Sequence, residues 1–254
     1  MKRAALALVL AACSSSSNDF PPLPEGAGPG GASGGGGTVG DGGVGDGGSG
    51  GAGDAGRVIS ARVCIVHDLS NPTDCDPKGN ASGVKVTLGT RAPITGPDPA
   101  GNFTIVAPSG TPVWHLTGST FVPSVMLYGT DILLPIVPDT LYGDVQGGSG
   151  VTILGEGQGS VLARVVSNGA PVANVQVATT FTSTNMIPLY PTRNGLVWIT
   201  TGPTLASGTV WFPGVDVTSV PGQITFTPQG GVLVPTRVDN VEQGSITFVT
   251  QDLP

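Results

Sequence analysis

Thiol, imidazole and carboxylate groups crowd one stretch of this chain, where Cys64, His67, Asp68, Cys75 and Asp76 lie close together. His67, Asp68, Cys75 and Asp76 are residue types that hold zinc, which takes four such ligands in structural sites. One histidine among loop aspartates, with Asn71-Pro72 between them, also reads as a solvated turn. Acyl transfer needs a nucleophile, a histidine and a carboxylate. The histidines are His67 and His115, and His115 stands beside Trp114 in a run that reads as a strand face. Gly31-Ala32-Ser33-Gly34-Gly35 and Gly47-Gly48-Ser49-Gly50-Gly51 match the G-x-S-x-G nucleophile elbow. That elbow needs a strand before it and a helix after it, and a glycine coil supplies neither. The G-x-G-x-x-G match at Gly26-Ala27-Gly28-Pro29-Gly30-Gly31 fails for the same reason. Gly40 to Gly48 has the look of a calcium nonapeptide, but without the recurrent aliphatic residue that builds its β-helix. The remaining acids are scattered over turns, so no carboxylate pair for glycosidase work emerges. Tyr190, Trp198 and Trp211 are the candidate binding aromatics, since exposed rings mark binding faces. Strand positions of this kind serve equally as core. The chain is expected to be no enzyme, to bind no metal and to need no cofactor.

Composition narrows the partners. The 254 residues carry 10 basic and 17 acidic side chains, a formal charge of −7. A basic patch is the footprint of phosphate binding, so a sparse, acidic surface argues against nucleic acid. It also argues against peripheral attachment to anionic lipid.

Attachment is written at the N-terminus. Lys2 and Arg3 precede a short apolar run, Ala4 to Leu10, and then Ala11-Ala12-Cys13. A basic start, an apolar centre and small residues before a cut site make a secretory signal peptide. The run is too short to span a bilayer, which needs about 20 apolar residues. Leu10-Ala11-Ala12-Cys13 resembles the lipobox of bacterial lipoproteins. The resemblance implies that residues 1–12 are removed, that Cys13 is lipidated with palmitate among its acyl chains, and that the membrane contact is made there. Ser14 is not the aspartate of an inner-membrane retention signal, which implies the outer membrane, with the folded part in the periplasm or on the cell surface. More than one acyl chain is needed for firm anchoring, at roughly 0.8 kcal/mol per buried CH₂.

With Cys13 assigned to lipid, Cys64 and Cys75 remain as a pair in an exported chain, and export favours a disulfide. The bridge is expected to close the loop His67 to Asp74. From 13 to 56 the chain is Ser-, Pro- and Gly-rich. It cannot bury enough apolar surface to offset backbone entropy and reads as a disordered tether. Its expected root-mean-square span is roughly 35 Å, from about 5–6 Å × √n.

From Arg57 onward short Val, Ile, Thr and Phe runs alternate with turns, the pattern of an all-β sandwich or barrel. Val58 to Val66, Val84 to Leu88, Phe103 to Val106, Val113 to Leu116, Phe121 to Tyr128 and Ile132 to Val137 read as strands. A second series follows: Ser160 to Val166, Ala173 to Ala178, Leu196 to Thr201, Gly208 to Phe212, Gln223 to Thr227 and Ser245 to Val249. Gly83-Val84-Lys85-Val86-Thr87-Leu88, Ile94-Thr95-Gly96-Pro97-Asp98 and Gly101-Asn102-Phe103-Thr104-Ile105 together resemble the carboxypeptidase regulatory-like domain. Gly169-Ala170-Pro171-Val172-Ala173-Asn174-Val175-Gln176-Val177 is similar to the opening of the same family, and Gly208-Thr209-Val210-Trp211-Phe212 resembles its later strand. The resemblance implies two tandem seven-stranded prealbumin/Ig-like β-sandwiches, over 57–142 and 158–254, with 143–157 as a linker. It implies no activity, because the zinc peptidase that can accompany such domains is missing.

The sequence therefore points to a non-enzymatic, membrane-anchored lipoprotein that presents two β-sandwiches for structural or adhesive contact with envelope proteins or glycans. A carbohydrate-binding module is the alternative if Tyr190, Trp198 and Trp211 lie exposed. A hydrolase with an unrecognised site is the third reading, if His67 or His115 meets Ser or Asp in a deep pocket.

Overall fold

The computed structural model describes residues 57–90, 93–108, 110, 112–127, 133–151, 155–181 and 188–253. Residues 1–56, which carry the expected signal peptide, Cys13 and the expected tether, lie outside the described residues.

The first half contributes β1 (Val58–Ile65), β2 (Lys85–Leu88), β3 (Ile94–Thr95), β4 (Asn102–Val106), β5 (Val113–Gly118), β6 (Phe121–Leu127) and β7 (Leu133–Pro138). Strand β1 pairs antiparallel with β4, Val58 opposite Val106, and parallel with β7, Arg62 opposite Leu133. Strands β3, β2, β5 and β6 pair antiparallel in that order. The alternation in β4 puts Phe103 and Ile105 inside and Asn102, Thr104 and Val106 outside, the period-2 pattern of a half-buried strand. Phe103, Ile105, Val63, Val86, Leu88, Trp114, Leu116, Leu134 and Ile136 meet in one buried cluster between the layers. Each fully buried side chain of this size contributes about 1.5–3 kcal/mol.

Helix α1 (Asp139–Ser149) follows, and then β8 (Gln158–Ser167), β9 (Ala170–Pro171), β10 (Gln176–Thr179), β11 (Tyr190–Pro191), β12 (Trp198–Ile199), β13 (Thr209–Asp216), β14 (Gly222–Thr227), β15 (Val234–Val238) and β16 (Ile246–Leu253). The topology repeats. Strand β8 pairs antiparallel with β13 and parallel with β16, as β1 does with β4 and β7. Strand β14 stands between β10 and β15, as β5 stands between β2 and β6. Val161, Ala163, Val165, Val210, Phe212, Ile224 and Phe226 form the buried core of this second sandwich. The all-β sandwich class expected from the sequence is the class observed.

The halves are fused. Strand β16 pairs with β8 along one edge and, also parallel, with β6 along the other, Ile246 opposite Ser124. A third buried cluster spans both halves: Val66, Leu69, Val122 and Val137 from the first, Tyr142 and Val145 from α1, and Leu162, Leu189, Trp198, Trp211, Ile246 and Phe248 from the second. Strands β8 and β13 are consequently buried on both faces, with patterns iBBBBBiBBi and BBBBBBBi, as expected of strands covered on both sides.

The segment 143–157 begins as helix, since α1 runs to Ser149. Its three glycines give weak intrinsic helicity, but Tyr142, Val145 and Gln146 are buried, and packing outweighs propensity in a short helix. Gly148 is there because the helix approaches the β11–β12 loop closely; a Cβ at Gly148 would stand 2.6 Å from the Leu196 carbonyl oxygen. Among the described residues no helix is long and apolar enough to cross a membrane.

Candidate functional site

The cysteine loop was the richest chemical stretch of the sequence, and the structure makes it a plug. Cys64 and Cys75 form a disulfide with Cα atoms 5.1 Å apart, and Val66 bridges to Cys75 beside it. Asp68 and Asp76 each serve a local turn. The Asp68 carboxylate accepts from the Ser70 N–H at 2.8 Å and from its hydroxyl at 2.8 Å. The Asp76 carboxylate accepts from the Lys78 N–H at 2.8 Å. His67 is exposed, with Nδ1 3.9 Å from the Asp74 carboxylate. The disulfide takes the Cys75 thiolate out of the His67, Asp68, Cys75 and Asp76 set. What the loop delivers is Leu69, which is 1% exposed and sits in the third cluster. Sequence reasoning passed over Leu69; a large aliphatic alone among polar loop residues was the available signal. Replacing both Cys64 and Cys75 with serine is expected to cost about 3 kcal/mol in the chain-entropy picture. For a body of about 200 residues that lowers Tm by roughly 6–12 °C, read by calorimetry against the same protein under non-reducing conditions.

His115 is placed on β5, and its Nε2 lies 2.7 Å from Oε1 of Glu242 in the β15–β16 loop. The bond ties the first half to the second across the sheet face. Neither His67 nor His115 has a serine as bonding partner among the described residues, and neither lines the clefts beside the cysteine loop. The geometry the hydrolase reading asked for is not formed there.

Tyr190, Trp198 and Trp211 are corrected as a binding face, because they are 5%, 2% and 0% exposed. Trp211 lies at the centre of the third cluster, its ring 5.7 Å from Tyr142 and 5.8 Å from Trp198, both edge to face. The Trp198 indole N–H donates to the Gly195 carbonyl at 3.0 Å. The signal was present in Val210-Trp211-Phe212-Pro213-Gly214-Val215, an unbroken apolar run that a strand with one wet face would not carry. Tyr142 was likewise missed. Its hydroxyl lies 2.6 Å from Ser160 Oγ in a buried pair, and burial pushes its pKa up to about 12. The neutral phenol is the form the fold accommodates. Its contribution is complete below the ordinary tyrosine pKa of about 10 and is lost as pH rises through about 12. Denaturant unfolding is therefore expected to show a loss on the order of 2–3 kcal/mol between about pH 9 and above pH 12, and Tyr142→Phe is expected to flatten that loss.

An open cleft of about 420 Å³ lies beside the cysteine loop. Ile65, Gly79, Phe121 and Pro138 line it together with Asn80, Ser119, Thr120, Asp139 and Thr140. The walls come from the end of β1, the residues that follow Cys75, the β5–β6 turn and the start of α1. A smaller hollow of about 80 Å³ on the other side of Ile65 and Gly79 is lined by Arg62, Cys75, Asp76 and Pro99 among others.

No family model matches the chain, and no curated protein does. Among solved structures it is similar to a streptococcal ancillary pilin, at 8% identity over 76% of this chain and 68% of that chain, with a TM-score of 0.25. It is similar also to the major pilin subunit of Bacillus cereus, at 11% identity over 77% and 70%, with a TM-score of 0.24. Superposition at that level establishes neither a shared fold in detail nor a shared role, so function rests on the residues of this chain.

Proposed function

We propose that this protein is a non-enzymatic lipoprotein of the outer membrane, anchored at Cys13, whose tether displays a rigid double sandwich for structural or adhesive contact in the cell envelope. The observation that supports it best is the third hydrophobic cluster. Tyr190, Trp198 and Trp211, the candidate binding aromatics, are spent on core and seam, and His115 bridges the halves through Glu242. A body so fused transmits position and load as one piece, and a long glycine-rich lead gives it reach. Envelope proteins or glycans are its partners on this reading, and nucleic acid is not. The test is fractionation of cells expressing the wild type and Cys13→Ala. The wild type is expected in the membrane pellet and Cys13→Ala in the soluble fraction; equal partition of the two would end the anchoring proposal.

A further inference from the structure

We infer that the cleft between the cysteine loop and the start of α1 binds a neutral, hydroxyl-rich ligand, a short uncharged glycan. The inference rests on the display reading and gives it a contact site. Three observations carry it. First, the cleft pairs an apolar floor with a polar rim. Ile65, Pro138 and the half-buried Phe121 ring provide the floor, and Asn80, Ser119, Thr120, Asp139 and Thr140 provide the rim. Sugars present the same division, with apolar C–H faces and hydroxyl edges, and sites for small ligands combine an apolar lining with a few placed polar groups. Second, the rim has donors and acceptors but no cation. Asp139 is its charged group and no Lys, Arg or His lines the cleft, so phosphates and carboxylates meet a carboxylate and no counter-charge. Asn80 already accepts from the Ser82 N–H through Oδ1 at 3.0 Å, which leaves its amide hydrogens to donate outward. Third, the walls are held before any ligand arrives. The Cys64–Cys75 bridge fixes one side, and the Asp139 N–H donates to the Thr120 carbonyl at 3.0 Å, tying the helix start to the β5–β6 turn. Preorganised walls cut the entropic cost of binding. A volume of about 420 Å³ suits one to three sugar rings.

The probes are chitotetraose, cellotetraose, maltotetraose and mannotetraose, with polygalacturonate as the anionic comparison. They are titrated calorimetrically into the full-length mature protein purified from membranes in detergent. At least one neutral probe is expected to bind with a Kd below about 1 mM. Asp139→Ala removes an acceptor and Thr120→Tyr fills the cleft, and each is expected to weaken that binding at least tenfold, about 1.4 kcal/mol. Both residues are exposed, and wild-type Tm in each variant certifies its fold; if one variant unfolds, the other carries the test. No neutral probe binding, binding of polygalacturonate alone, or neutral binding unchanged in the folded variants would overturn the inference. Palmitate labelling of the same preparation reads the anchor independently, so a labelled protein that binds no sugar refutes this inference and leaves the anchor intact.

Discussion

Gly101→Ala is expected to destabilise the first sandwich by about 3–4 kcal/mol, with a matching fall in the urea midpoint and little soluble expression. Gly101 stands opposite Val63 of β1, immediately before β4, with φ at +92°. The Val63 N–H donates to the Gly101 carbonyl at 2.9 Å. A Cβ there would lie 2.3 Å from the Val63 carbonyl oxygen, and that oxygen belongs to a central strand held on both sides by β4 and β7. Neither partner can give way without breaking the ladder. The equivalent turn of the second half is built the same way. Gly208 has φ +66° and a Cβ would stand 2.4 Å from the Val165 oxygen, and the Val165 N–H donates to the Gly208 carbonyl at 2.9 Å. Gly208→Ala should therefore match Gly101→Ala. Gly230 separates the two causes, since its φ is +72° but nothing lies within 4 Å of an added Cβ. Gly230→Ala should cost only the conformational part, about 1–2 kcal/mol. Equal losses at Gly101 and Gly230 would show that the close approach of the strands is not what demands glycine.

The seam between the sandwiches is the second place where one side chain decides much. Trp211→Ala is expected to cost about 3–5 kcal/mol, the range for emptying a large aromatic site. Its neighbours are Tyr142 from α1 and Trp198 from β12, and its own strand bonds through the backbone to Leu189 at 2.8 and 2.9 Å. Removal of the ring takes away the piece that α1 and the β11–β12 loop share. The loss should fall on the coupling of the halves more than on either inner core, because Val210 and Phe212 still face the second core. Calorimetry should then show one transition in the wild type and two in Trp211→Ala, the seam having failed first. A single transition displaced downward in the variant would mean that β16, paired to both β6 and β8, couples the halves without help from the ring.

The sequence made the repeated strands legible because each inner sheet face follows period 2. Lys85 to Leu88, Asn102 to Val106 and Gln223 to Thr227 show it plainly. Strand β15 carries no such signal, since Pro235 interrupts Val234 to Val238; proline is tolerated there because, among the described residues, β15 pairs with β14 alone. The seam was illegible for a different reason. Its residues come from six strands, one helix and two loop stretches, each giving one or two side chains, and no local pattern records which distant surfaces meet. Leu69 lies in a polar loop, and Tyr142 and Val145 in a glycine-bearing helix. The turn at Asp98 was visible through its motif, and its role follows from the bonds. The Asp98 carboxylate accepts from the Asn102 N–H at 2.7 Å and from its amide, which holds the carboxyl below its usual range. In the second half Leu205 takes that place, with the Gly208 N–H donating to its carbonyl at 2.9 Å. The second half has the backbone turn without the side-chain cap, so no Asp marks it in the sequence.

How the chain is held is read directly by the intact mass of the N-terminal peptide from membrane-extracted protein. The expected species begins at Cys13, lacks residues 1–12 and carries the added mass of acyl chains, which Cys13→Ala abolishes. A peptide that retains residues 1–12, or one that begins at Cys13 with an unmodified thiol, would contradict it.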